Sequence, residues 1–416
     1  MLRIQSAPFR LLFGCYFLLV TWPLSAACRV LRLAVGLPLR PQPVDRSAIH
    51  SIALIRLDEM GDFVIFSSIL RPLREAFPQA RIVLFMTAWV APLAELCPYV
   101  DEIVPVPSQG SKLRSFLRGP FHALRFAAAR LTGHFDLVVN ARGDRDTRNA
   151  GLLAAFSLAP YVVGFPASAE PVKTIMNRGH DRFYTHLLPV RAAVHEIERT
   201  REILRFLNVP DPYPAPELWL SDSDRAEALD LSRCHPLICL GIHSGLDRRR
   251  WPLERYQELV RLLAPIADFK FLVVGSPHDY PAGELLRPAL GPALLNLAGK
   301  TSLRASAAAI DHCSLYIGSD SGPMHLAAAL GKPVIEISCH PATGDPAHFQ
   351  SPRRFAPLTN PAIVLAPQFA LPPCRESCEQ DQSHCIRQVT VGQVFTAVTR
   401  VLNQSVLSGE AIAYQS

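Results

Sequence analysis

A chain of 416 residues is too long for one ordinary domain and predicts two. Its residues are 49% hydrophobic and 19% charged, the balance of a globular protein with sizeable cores. The net charge is only +6, and no basic run is interleaved with aromatics, so a nucleic-acid role has no support.

Residues 1–49 differ from the rest. Leu11 to Cys28, LLFGCYFLLVTWPLSAAC, carries no charge over 18 residues, with Arg3 and Arg10 before it and Arg29, Arg32, Arg40 and Arg46 after it. Such a stretch is marginally long enough to span a bilayer. It can be read as a cleaved signal segment ending near Ala26, Ala27 and Cys28, as a single anchor, or as an amphipathic helix in the membrane interface. Pro23 interrupts it. Membrane association on the cytoplasmic side is the preferred expectation, favoured by the excess of arginines that follow the segment.

Residues 50–209 read as a first α/β unit. Apolar runs at 51–57, 80–87, 102–106, 135–141 and 161–165 are strands of the fully buried kind, with helical segments between them. The first is SIALIRL, followed by Asp58, Glu59, Met60, Gly61 and Asp62. Phe63 to Phe77 then has helical periodicity, which sets Asp62 at a helix N-terminus just past a glycine. The helix dipole there favours a charged carboxylate and predicts a lowered pKa. Asp62 is therefore either a helix cap or a base able to take a proton from a hydroxyl. Asp58 and Glu59 read as solvent-facing or structural. The segment ARGDRDTRNA reads as a loop opening the next helix, and its Asp144-Arg145-Asp146 is the nearest approach to an Asp-x-Asp metal motif.

Pro210, Pro212, Pro214 and Pro216 mark a stiff linker, and residues 210–388 form the second unit. Its strands fall at 237–243, 269–276, 294–299, 314–318 and 333–338. Ligands in such sheets bind beyond the carboxyl ends of the strands. After one strand come Ser244 and Gly245, then Arg248, Arg249 and Arg250 before Trp251-Pro252. This is either a solvated basic loop or a phosphate grip. After another, LYIGSDSGPMHLAAALGKPVIEI passes from strand through a Gly- and Ser-rich turn, residues 318–322, into a helix expected from His325 to Leu330, closed by Gly331. Pro323 suits the helix's first turn. Free N–H groups there would hold a phosphate or diphosphate, with Gly322 allowing close approach.

The ten cysteines are scattered, which argues against a disulfide framework. Cys374, Cys378, His384 and Cys385 form the one cluster, but a zinc site would be expected to show paired Cys-x-x-Cys spacing, so no metal site is expected. Residues 389–416 hold a closing helix, Val389 to Leu402, expected to dock against the first domain.

Four segments, in order, carry a resemblance. IALIRLDEMGDFVIFSSILRPLREAFPQARI is similar to the start of the heptosyltransferases of glycosyltransferase family 9. HEIERTREILRFLNVP, GIHSGLDRRRWPLERYQELVRLL and LAGKTSLRASAAAIDHCSLYIGSDSGPMHLAAALGKPVIEI resemble that family's pre-crossover helix, donor-phosphate loop and C-terminal signature. Together they span roughly residues 50 to 400. The resemblance implies a GT-B fold, two Rossmann-like domains facing across a cleft, with an acceptor and a donor domain. It implies Asp62 as the base on an acceptor-side loop with Met60 and Gly61. It assigns donor binding to Ser244, Arg249, Asp320, Ser321, Gly322, Pro323 and His325; many relatives have Lys at the position of Arg249.

The expected reaction is a single inverting displacement. It moves a sugar, heptose from ADP-heptose in the family pattern, to a hydroxyl of a lipopolysaccharide core or another surface glycan. It needs no cofactor and no metal, because the helix terminus and Arg249 carry the leaving charge. The partners are a nucleotide-sugar donor, a glycolipid or glycan acceptor and the inner membrane's cytoplasmic surface. Other nucleotide sugars, UDP- or GDP-linked, and a non-catalytic sugar-nucleotide binder remain open alternatives. A Rossmann oxidoreductase would want G-x-G-x-x-G after the first strand, and LDEMGDF lacks it.

Overall fold

The computed structural model describes residues 7–107, 112–191, 194–212, 215–228, 231 and 236–407; part of the proline-rich linker lies outside them. The chain divides into two compact units, 1–192 with 197–214 and 193–196 with 215–416.

The first unit is a six-stranded parallel sheet. Its strands are β1 (Ser51–Arg56), β2 (Arg81–Thr87), β3 (Glu102–Val106), β4 (Leu137–Asn140), β5 (Tyr161–Gly164) and β6 (His186–Leu187). The order is β3-β2-β1-β4-β5-β6. The central strand β1 pairs in register with both neighbours, Leu54 with Leu84 of β2 and with Val139 of β4. Ile52, Ala53, Leu54 and Ile55 are buried, as expected of a strand covered on both faces. On one face Phe85 meets Phe126 and Phe135 edge-on, at centroid distances of 6.2 and 5.9 Å.

The second unit repeats this plan with β7 (Leu237–Gly241), β8 (Lys270–Val273), β9 (Leu294–Asn296), β10 (Leu315–Ser319), β11 (Val334–Ile337) and β12 (Ala362–Leu365). All are parallel, ordered β12-β11-β10-β7-β8-β9. Central strands again carry the site: β10 lies between β7 and β11, where the order reverses. The C-terminal helix Val391–Leu407 buries Val394, Val398, Val401 and Leu402 in this unit's own core, beside Trp251, Tyr256 and Leu259. Its apolar stripe is thereby buried inside the second unit.

The N-terminal segment forms helices Ala7–Tyr16 and Trp22–Ala34, joined by a wider turn at Phe17–Thr21. Leu12–Ala34 is long and apolar enough to cross a membrane by length and composition. One face docks onto the first unit. Arg32 donates to the carbonyl of Ala159 at 2.8 Å, Cys28 Sγ to that of Ala155 at 3.3 Å, and Arg178 and Arg182 lie over the Phe17 ring. The other side displays Leu18, Leu19, Trp22, Val30, Leu33 and Val35 to solvent.

Candidate functional site

The carboxyl end of β1 delivers the first cluster. The helix after it runs from Met60 to Ser67, so Met60, Gly61 and Asp62 are its first three residues. Glu59 holds the capping position, and Asp62 is therefore not the cap. Phe63, Val64, Ile65 and Phe66 are all buried, and this embedded helix fixes Asp62 at its mouth.

Two arginines shape the surroundings of Asp62. Arg56 ends β1, and Arg142 follows β4, the neighbouring strand. Both grip Asp58: Arg56 Nε at 2.9 Å from Oδ2 and Arg142 Nη1 at 2.5 Å from Oδ1. Asp58 is thus a buried ion-pair hub, not a solvent-facing residue, because the two strand ends place opposite charges on either side of it. Arg56 also lies 3.8 Å from Asp62 Oδ1 and donates to the Asp62 carbonyl at 3.2 Å. Glu59 pairs outward with Arg148.

The Asp62 carboxyl is pushed up to about 8. Burial is the leading cause, followed by the like charge of Asp58, with Arg56 opposing both. The expectation of a lowered pKa is corrected: desolvation and a carboxylate neighbour outweigh the helix dipole. A base held above its ordinary range matches a hydroxyl proton better than a fully solvated carboxylate would.

The Asp144 and Asp146 pair is not a metal dyad. Asp144 pairs with Arg142 at 2.9 Å, whereas Asp146 accepts from the backbone N–H groups of Arg148, Ala150 and Gly151 and so opens the helix Ala150–Ala155. Lys173, absent from the sequence reading, is buried and donates to the carbonyls of Arg142, Gly143 and Phe165. It braces the backbone from which Arg142 springs. Asp58→Ala should deprive two buried guanidinium groups of the carboxylate they share, leaving Arg142 only its pair with Asp144, and destabilise the fold by about 3–5 kcal/mol, read as a lower urea midpoint.

The second cluster lies at the carboxyl ends of β7, β10 and β11. β10 continues to Ser319, because Gly318 and Ser319 still pair with Glu336 and Ile337 of β11. The turn is therefore shorter than expected, and the helix starts three residues earlier, spanning Gly322–Ala329 with Pro323 in its first turn. Gly331 closes it at φ 72°, a conformation natural to glycine. Ser321 holds the cap position without capping through its side chain; its hydroxyl meets Tyr316 Oη at 3.2 Å instead. A Cβ at Gly241 would overlap that tyrosine hydroxyl, so glycine is required there.

Asp320 gathers the expected donor residues. Arg249 Nη1 is 2.7 Å from its Oδ2, His325 Nε2 is 3.7 Å from its Oδ1, and Ser244 Oγ donates to its carbonyl at 3.3 Å. Burial alone would raise the Asp320 carboxyl, but the charge of Arg249 and the contact with His325 hold it below the usual range. Asp320 thus ion-pairs with Arg249 and lies close to His325. The three arginines diverge: Arg248 donates to the carbonyl of Cys378, Arg250 returns to the carbonyl of Ser244, and Arg249 alone reaches the head of the helix.

Glu336 was not foreseen. It is buried on β11, and burial, reinforced by Asp320 and opposed by Arg249, pushes its carboxyl well above the ordinary range. A charged residue inside the apolar run PVIEIS was the available signal. Asp279 caps its own turn at Ser276 and lies 3.2 Å from His243.

Residues 134–377 match the model of glycosyltransferase family 9 (heptosyltransferase). The chain is 29% identical over 301 residues to lipopolysaccharide heptosyltransferase 2 of Escherichia coli K12, covering 67% of this chain and 79% of that one. The fold is similar to a family 9 glycosyltransferase from Veillonella parvula, with a TM-score of 0.68 at 21% identity, covering 88% of this chain and 100% of that one. It is also similar to E. coli ADP-heptose LPS heptosyltransferase II, with a TM-score of 0.62 at 22% identity and coverage of 85% and 99%. Paired Rossmann-like units of this kind make up the GT-B fold. The chain belongs to glycosyltransferase family 9, the heptosyltransferase family, and is a glycosyltransferase.

Proposed function

We propose that this enzyme transfers heptose from ADP-heptose to a hydroxyl of a lipopolysaccharide-core acceptor, with inversion at the anomeric carbon and no metal at the reacting atoms. The observation that carries the reading is Arg249, set by Asp320 at the head of the helix Gly322–Ala329 beside His325 and Ser244. A guanidinium and a helix N-terminus together suit a diphosphate whose charge grows as it leaves. The names of the relatives, lipopolysaccharide heptosyltransferases, support the choice of sugar and acceptor.

In the proposed step the acceptor oxygen bonds to the anomeric carbon as the bond from that carbon to the diphosphate oxygen breaks. Asp62 takes the hydroxyl proton, and ADP departs with the electron pair. Gly61 and Met60 shape the loop that presents the acceptor to Asp62. Ser321, Gly322 and Pro323 supply the helix terminus facing the diphosphate. ADP should raise the melting temperature, with UDP, GDP and NAD giving little or no shift. Only ADP-heptose among nucleotide sugars should yield labelled acceptor. Equal stabilisation by UDP, or turnover of a UDP-sugar alone, would reject ADP-heptose as the donor.

The N-terminal segment supports work at the cytoplasmic face of the inner membrane, lying in the interface rather than crossing it. Its docked face uses Arg32 and Cys28, which crossing the bilayer would detach from their carbonyl partners. Its free face offers Leu18, Leu19, Trp22 and Val30 to lipid. Vesicles containing phosphatidylglycerol should float the wild-type protein, while the triple variant Leu18→Glu, Leu19→Glu, Trp22→Glu stays at the bottom of the gradient. Flotation of that variant would reject this mode of attachment.

A further inference from the structure

We propose that Cys374, Cys378, His384 and Cys385 bind a zinc ion that fastens the loop before the last helix to the arginine loop of the donor site. By spacing alone, C-x3-C-x5-H-C lacks the paired Cys-x-x-Cys pattern. The fold removes that objection, because the ligand atoms of all four residues lie within 4.8 Å of one another. His384 Nδ1 stands 3.6 Å from Cys374 Sγ and 3.4 Å from Cys385 Sγ. Sulfur and nitrogen bound tetrahedrally to one zinc, at about 2.3 and 2.0 Å from it, are themselves about 3.5 Å apart.

The surroundings fit a structural ion. Cys374, Cys378 and Cys385 are buried, and all three are free thiols. The Glu379 N–H points at Cys374 Sγ from 3.3 Å, the kind of outer donor that steadies a metal-bound thiolate. A closed set of three sulfurs and one imidazole is a zinc donor set; it leaves no open position for chemistry and is too soft for magnesium or calcium. Binding releases three thiol protons and leaves the centre with a net charge of −1, beside the cationic Arg248.

The consequence reaches the donor loop. The Cys378 carbonyl accepts from Arg248 at 3.2 Å. Ser383 Oγ donates to the Arg250 carbonyl at 2.5 Å and to the Asp247 carbonyl at 3.3 Å. Just beyond Cys385, the Val389 carbonyl accepts from Trp251 Nε1 at 2.9 Å and from Arg255 at 2.5 Å. The residues on either side of Arg249 are thus tied to the twelve-residue segment that the ion would close. Zinc here positions Arg249 and touches no substrate.

The test is metal analysis of the full-length protein purified without chelator. The expected content is about one zinc per chain, the stoichiometry of a closed four-ligand site. Cys378→Ser should lose the metal, with a weaker fit for ADP and a lower melting temperature. His384→Cys should keep it, now with four thiolates, so the site remains testable if the serine variant fails to fold. Cobalt replacement should give the visible absorption of a tetrahedral thiolate site. Metal-free protein that takes up no cobalt, stoichiometric iron in place of zinc, or a disulfide among these cysteines would overturn the proposal. Metal content is read without donor or acceptor, so its failure is separate from failure of the transferase reading.

Discussion

Asp62→Asn should lower kcat by about 10²- to 10⁴-fold, the usual contribution of a positioned general base, while ADP binding stays at the wild-type level. The amide keeps the size and polarity of the side chain but cannot take the hydroxyl proton. The wild-type pH profile should carry the mark of the same group. Asp62 has its pKa raised to about 8, so below that value it is largely protonated and unable to act as a base. kcat/KM should therefore rise with pH up to that region, rather than levelling off in the ordinary carboxylate range, and the Asn variant should lose this limb. Stability should run the opposite way. Between the ordinary carboxylate pKa and the raised one, the folded state holds a proton that the unfolded state has released, so stability falls as pH rises. The Asn variant has no such proton to lose and should melt at a higher temperature than wild type at pH 7.5. A variant that is inactive yet more stable cannot owe its defect to misfolding. Retained turnover would remove Asp62 from the chemistry.

The parts of this architecture that could be read from sequence are those written in local pattern. Ten of the twelve strands among the described residues stand out because a parallel strand buried on both faces is a continuous apolar run. The two that do not are His186–Leu187, only two residues long, and Ala362–Leu365, a half-exposed edge strand. The helices after both turns were legible from glycine and proline, although they begin at Met60 and Gly322, each three residues before the expected Phe63 and His325. The electrostatic state of Asp62 was not, since it depends on Asp58 and on Arg142, a residue 80 positions further along the chain, brought near by the pairing of β1 with β4. A hint was present: Arg56 sits in an otherwise apolar strand, and a charge at the buried end of a strand needs a partner. The same holds for Asp320. Its turn could be located from sequence, but its task of holding Arg249 depends on β7 and β10 lying side by side.

Arg249→Ala should raise the Kd for ADP and the KM for the sugar nucleotide by about 10- to 100-fold, the range of about 1.4 to 2.8 kcal/mol expected when one charge-assisted contact to a phosphate is lost. Its effect on kcat should be larger than on ADP binding, because charge on the diphosphate oxygen grows as the bond to sugar breaks. Lysine at this position should restore much of the binding but less of the rate. It brings the charge without the planar fork that lets Arg249 hold Asp320 at 2.7 Å while still offering other N–H groups. Asp320→Asn gives the complementary test. It removes the negative charge that holds Arg249 and lies near His325 but leaves the guanidinium present. If Asp320 only neutralised Arg249, its loss would strengthen ADP binding by freeing a positive group. If its task is to aim the guanidinium, kcat should fall although the net charge of the site has become more favourable to an anion. The second outcome is expected, because Arg249 also reaches the carbonyls of Asp320 and Phe349, at 3.5 and 3.4 Å, and without the carboxylate these weaker contacts alone would set its direction.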